Sequence, residues 1–387
     1  MEKIVKFLEK ATKATRTYQS FKYCFESIDL PSIIYDDKQG IVFKPENNGE
    51  SDKGLKKSKS IKERALKAIE LNEQPLFNFF LDGSRRTYKV DDIAYSKRLY
   101  PIIAGQIGVA CCVRNNNNFK CLKFDRQLVL VLPSCACSDG SCDLFFNEKI
   151  KELNDLPFLL KNNIHFNKIL YYKDEALKEG ETYENKGIAK IQNEMVEAEK
   201  NLVSQLVQEK KLNISSFLLK DGSLEYTKTT AANSKELSKL KSNYQCVVGV
   251  SKSFNPELCK NNKEKSIAQD IAELPLYYRT PAYKYSVPRI SDVTFSAWYL
   301  RIRDINRTTS PFDGVVKIEK ILVTDKENEQ GLDSDDIDRI SAHIINERNP
   351  TCYGSDNRWA NHLYPIYLTE AFIKSQYLSN SYFLNLF

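Results

Sequence analysis

The sequence predicts an α/β protein, a mixed sheet flanked by helices. Three observations carry this expectation. From residue 76 onward, short runs of aromatic and branched residues closed by turn residues read as strands. Several of these follow one another with short turns, as in an antiparallel meander. A long helix with one apolar stripe then precedes further strands, and two more helices close the sequence. At 387 residues and 42% hydrophobic content, there is material for one large domain or two ordinary ones.

Taken in order, residues 1–75 read as a helical N-terminal accessory region. It is broken by the polar run Asn47-Asn48-Gly49-Glu50-Ser51-Asp52 and carries a basic segment from Lys56 to Arg64. Such a segment reads as a solvated helix face before it reads as a phosphate contact. The main domain spans 76–387. Its first strands fall at 76–81, 86–90, 101–113 and 127–132, with a turn at 115–118. A ribonuclease H-like sheet begins with a meander of this kind, before its helices and parallel strands. Residues from about 140 to 186 are charged and mixed, without a sustained pattern, and read as a connector or insertion. A helix over about 187–211 follows, with Ile191, Met195, Leu202, Val203 and Leu206 on one stripe. Then come a strand at 217–220, a short helix at 234–241, strands at 245–250, 294–302 and 314–323, and helices at 334–346 and 362–378. No period of 20 to 50 residues repeats, which excludes solenoids and propellers.

The net charge of +6, from 57 basic and 51 acidic residues, is compatible with a nucleic-acid partner and too small to demonstrate one. The first residues, Met1-Glu2-Lys3-Ile4-Val5-Lys6, hold no apolar signal region, and no run is long enough to span a bilayer. The expected location is the cytoplasm, where ten cysteines stay reduced and form no structural disulfides. Cys135, Cys137 and Cys142 lack the paired spacing of zinc knuckles and read as free thiols. There is no Walker A sequence, no dinucleotide fingerprint and no serine-hydrolase elbow.

The chemistry-bearing residues lie elsewhere. Two apolar runs end in Asp82-Gly83-Ser84 and Asp221-Gly222-Ser223. If Gly and Ser turn the chain there, each Asp stands at a strand end, and two strands of one sheet would offer both carboxylates to a divalent cation. A third copy, Asp139-Gly140-Ser141, follows a polar stretch and reads as an ordinary turn. Glu199 falls on the apolar stripe of the long helix, where a carboxylate needs a proton, a cation or a metal. A salt bridge to Lys220 or Lys252 would satisfy it equally, and Glu194 and Glu197 are the neighbouring choices if the helix phase drifts. Lys252 follows another apolar strand end, where an ammonium could stabilise charge on a scissile phosphate. Of three histidines, His165, His343 and His362, the last opens the final helix and could bind a metal, move a proton or simply cap. Carboxylate donors favour magnesium or manganese over zinc.

Read in order, these segments, together with Val248-Gly249-Val250-Ser251-Lys252-Ser253 and His362-Leu363-Tyr364-Pro365-Ile366-Tyr367-Leu368, resemble the NurA nuclease family over about residues 76–387. The resemblance implies a ribonuclease H-like core and a manganese-dependent deoxyribonuclease with exonuclease and single-strand endonuclease activity. It also implies a homodimer with a HerA-type hexameric ATPase as partner, acting in DNA end processing, repair or antiviral defence. By position, Asp82, Glu199 and Asp221 match the metal-binding acids, His362 the histidine of the C-terminal helix, and Lys252 the lysine after the glycine strand. The longer gap between Glu199 and Asp221, with Glu209-Lys210-Lys211-Leu212-Asn213 looking inserted, departs from the family pattern. Two other readings compete. One is a catalytically silent subunit that binds DNA or regulates a motor ATPase. The other is a nucleic-acid-binding module that stacks bases on Trp298 and Tyr299 and contacts phosphates through Arg301 and Arg303.

Overall fold

The computed structural model describes residues 4–18, 22–25, 44–46, 49–55, 57–116, 118–137, 141–224, 234–261, 263–286, 293–308, 310–348 and 359–387. Nine strands carry the architecture: β1 (Phe77–Tyr95), β2 (Arg98–Asn115), β3 (Asn118–Pro133), β4 (Lys168–Tyr172), β5 (Phe217–Asp221), β6 (Val247–Ser251), β7 (Tyr283–Ser286), β8 (Thr294–Arg301) and β9 (Val315–Ile321). They belong to one sheet in the order β7-β8-β9-β6-β5-β1-β2-β3-β4, with the short strand Lys44–Glu46 added outside β7. β1, β2 and β3 form the expected antiparallel meander. β5 then pairs parallel to β1 and β6 parallel to β5. Three antiparallel strands followed, after a helix, by two parallel ones on the far side of the first make this core a ribonuclease H-like mixed sheet.

The helices cover both faces. α1 (Tyr183–Gln208) buries Ile191, Met195, Leu202, Val203 and Leu206, the stripe read from the sequence, against Ile103, Ile107 and Val109 of β2. Thr182 caps it, accepting from the Asn185 amide at 3.1 Å. On the other face, α2 (Ser334–Asn346) and α3 (Tyr364–Ser375) bury Ile337, Ile340, Ile344 and Ile366 against Phe80, Leu219, Val248 and Trp298.

Three segments differ from expectation. Among the described residues of the first 75 are two helices, Ile4–Ala11 and Lys62–Glu70, but also short strands. Arg16–Tyr18 and Tyr23–Cys24 pair with the far half of β1, and Lys59–Ser60 pairs with Tyr278–Arg279. Lys59 and Arg64 of the basic segment are engaged by Asp338 and Asp335 of α2. Behind them Arg279, fully buried, joins Glu50 at 3.0 Å and Asp338 at 2.7 Å. The stretch expected to be a connector contains the helices Cys142–Asn154 and Pro157–Lys161 and then β4, an edge strand parallel to β3. Finally, the strands expected at 76–81 and 86–90 are one. β1 runs unbroken through Asp82-Gly83-Ser84 for 19 residues. Asn47, Asn48, Lys56, Asp139 and Gly140 lie outside the described residues.

Candidate active site

Side chains alternate across a strand, so Asp82 and Gly83 point to opposite faces of β1. Gly83 faces α1, where a Cβ atom would stand 2.3 Å from Glu199 Oε1. The glycine is there because a buried carboxylate lies over the backbone, not because the chain turns. Asp82 faces α3 instead. It is opposed across β2 by Ala110, and the neighbouring Ser84 by Gly108, against which Ile373 of α3 packs. What ends beside Asp82 is β5, whose last contact with β1 pairs Lys220 with Leu81. Asp82 therefore sits at the edge of a step in the sheet, in the middle of its own strand.

The second motif does turn. β5 stops at Asp221, and Gly222 adopts φ +79°, a left-handed conformation that favours glycine. The turn is held from several sides. Gly222 N–H donates to Val250 O at 2.8 Å, and Lys220 Nζ donates to Asp221 O at 2.7 Å. Glu319 Oε2 accepts from Ser223 Oγ and from the Leu224 amide, each at 2.8 Å. Lys317 at 2.9 Å supports that fully buried glutamate and helps hold its carboxyl below the usual range despite its burial.

Alternation along β5 puts Lys220 toward α1 and Asp221 toward α3, the face of Asp82. There Lys252, just past β6, places Nζ 2.9 Å from Asp221 Oδ2 and 3.6 Å from Glu370 Oε2 of α3. Burial pushes the Asp82 carboxyl well above its ordinary range, and the charges of Asp221 and Glu370 push it further, with Lys252 opposing. Asp82 Oδ2 is buried and has no hydrogen-bond partner among the described residues. Burial would lower the Lys252 ammonium, but Asp221, Glu370 and Asp82 outweigh it and hold it charged, above its usual value.

Asp82, Asp221 and Lys252 are thus brought together. Glu199 reaches the same step from the α1 side, where it forms a buried ion pair with Lys220 at 3.1 Å. Glu194 pairs with Lys168 of β4 and Glu197 with Lys200 of its own helix, so Glu199 is the one of the three lying over Gly83. His362 precedes α3, buried, with its ring stacked near that of Tyr367. Its neighbour Asn361 is the clamp of this corner. The amide donates to Lys252 O and to Val315 O, and its oxygen accepts from Gly314 N–H. Glu370 was not singled out from the sequence. Its signal was present, because it follows Ile366 by four residues and precedes Ile373 by three, the same apolar-stripe position that drew attention to Glu199.

Among the described residues no three Asp, Glu, His or Cys side chains gather closely enough to hold an ion unaided. Among the described residues, Cys135, Cys137 and Cys142 take part in no disulfide. Trp298, Tyr299 and Arg301 are buried, with the indole bonded to Ser341 Oγ at 2.9 Å and the guanidinium spent on the carbonyls of Leu274, Ala272, Pro311 and Asp313. The base-stacking reading of that strand is thereby excluded. No described helix is long and apolar enough to cross a membrane.

No family model and no curated protein matches the sequence. Among solved structures, the chain is similar to the crystal structure of the NurA nuclease from Sulfolobus solfataricus. Identity is 11%, with 81% of this chain and 88% of that one covered and a TM-score of 0.39. The fold class rests on the strand order and not on that likeness.

Proposed function

We propose that the chain is a metal-dependent nuclease that hydrolyses phosphodiester bonds at the step in the sheet between β1 and β5. The observation that carries this reading is the orphaned Oδ2 of buried Asp82, on one face with Asp221 and Glu370 and short of positive charge. A hard divalent cation, manganese or magnesium, suits oxygen donors of this kind. Magnesium is often bound by one or two carboxylates, with water and substrate phosphate oxygens filling the shell, so the absence of a ready-made three-ligand cluster fits that manner of binding. Asp82 and Asp221 would hold the ion; of the further ligands implied by the family resemblance, Glu199 lies on the opposite face of β1, paired with Lys220, and His362 precedes α3. A bound ion of this kind polarises phosphate oxygens and lowers the pKa of water. Lys252 holds the Asp221 carboxylate in place and carries a positive charge to the developing phosphorane, and Lys220 and Glu319 fix the turn that aims Asp221.

The finer parts of the reading come from the family resemblance: DNA as substrate, exonuclease and single-strand endonuclease action, a homodimer, and a HerA-type hexameric ATPase partner in end processing, repair or defence. A second reading, a silent subunit that regulates a motor, draws on Lys252, which already neutralises part of the acidic face. End-labelled single- and double-stranded DNA incubated with manganese, magnesium or chelator separates the two. Metal-dependent products from the wild type that vanish in Asp221→Asn support the nuclease. No products from either protein, with and without a co-purified ATPase, would sink it.

A further inference from the structure

We infer that a cleft of about 410 Å³ beside Asp82 binds a second phosphodiester of the substrate, next to the one cleaved. The inference rests on the nuclease reading and adds to it a subsite that grips a polynucleotide strand. β5 ends opposite Leu81, and on that side of β1 the next described pairing is Cys24 with Tyr88. Among the described residues, the edge of β1 between these points carries no partner strand. The cleft lies along this edge, which is why residues from both faces of β1 line it. Arg85 and Gln192 come from the α1 side, and Arg86, Glu370 and Lys374 from the α3 side.

Three of those five are cations. Arg85 Nε is braced by Gln192 Oε1 at 2.7 Å, and Arg86 lies over the Tyr377 ring with Nη1 3.4 Å from Asn380 Oδ1. Asn380 and Tyr377 are neutral and orient the Arg86 guanidinium without cancelling its charge. The acid of the cleft, Glu370, is shared between Lys374 at 2.7 Å and Lys252 at 3.6 Å. Planar arginine forks match phosphate oxygens bidentately, and an exposed lysine adds a point charge. Glu370 also belongs to the acidic face that holds Asp82, so the cleft adjoins that face, as a strand threaded past the cutting point requires.

The test is binding of a fluorescein-labelled single-stranded oligonucleotide in chelator, over a range of salt concentrations, beside a cleavage assay in manganese. Arg86→Ala and Lys374→Ala should each weaken binding roughly 3- to 10-fold at about 0.1 M salt. Each should also reduce the slope of log affinity on log salt by about one, as the loss of one phosphate contact does. Arg86→Lys should restore the slope, and the cleavage KM should rise with kcat little changed. Wild-type affinity and slope in both alanine variants would overturn the subsite even if the protein cuts DNA. A reduced slope in a protein that never cuts would keep the subsite and overturn the nuclease.

Discussion

Asp82 keeps its carboxyl where water is excluded and two further acids stand on the same face, and the folded protein bears the cost. Its folded pKa lies above the ordinary 3.8, so below that value the folded and unfolded chains are both protonated and this contribution to stability is intact. As pH rises toward the folded value the unfolded chain has released a proton that the fold still holds, and the contribution is lost. Asp82→Asn should therefore raise the melting temperature in chelator at neutral pH while abolishing cleavage. The gain comes from removing a carboxyl whose ionisation the fold opposes. Manganese should reverse the order, stabilising the wild type by about 2.7 kcal/mol at a hundredfold excess over Kd and leaving the variant unmoved. Scanning calorimetry with and without metal checks both, and equal shifts in the two proteins would remove Asp82 from the cation site. Because cation binding must displace the Asp82 proton, the acid limb of the activity profile should move to lower pH as manganese is increased.

At the scale of elements, the Asp-Gly-Ser repeats show what a sequence can and cannot disclose. Asp221-Gly222-Ser223 was legible as a strand end because its glycine has the positive φ that turn glycines supply. In the first copy the same letters serve a different need: Gly83 lies mid-strand opposite Val109 and is small because Glu199 crosses it. No local pattern distinguishes these cases, since the contact comes from a helix more than 100 residues away. The long helix and its stripe were legible because their periodicity is local, whereas β4 was missed because an edge strand with mixed burial carries little pattern. Gly83→Ala should cost about 1 to 3 kcal/mol, as overpacking does. Combined with Glu199→Ala, which removes the obstructing carboxylate, the added penalty of the alanine should largely disappear. A double-mutant cycle by urea denaturation measures this, and additive losses would mean that Glu199 does not constrain position 83.

Across the whole molecule, the early segments are tied to the late ones through buried charge. Arg279 couples Glu50 to Asp338 of α2, and Lys59 reaches that same aspartate at 2.5 Å. Arg279→Met would leave two buried acids with less neutralisation and should destabilise by about 3 to 5 kcal/mol, with a fall in the urea midpoint. An unchanged midpoint would show that the network is only decorative. The candidate centre is dispersed in a similar way, with Asp82, Asp221, Lys252 and Glu370 distributed over nearly three quarters of the chain and Asn361 closing the last corner. Synthesis proceeds from the N-terminus, and domains fold as units once their parts exist. A growing polypeptide still on the ribosome can therefore build the meander and display Asp82 long before α3 emerges to complete the acidic face. On the nuclease reading, a polypeptide assembled in this way spares the nucleic acid around it until α3 has been made.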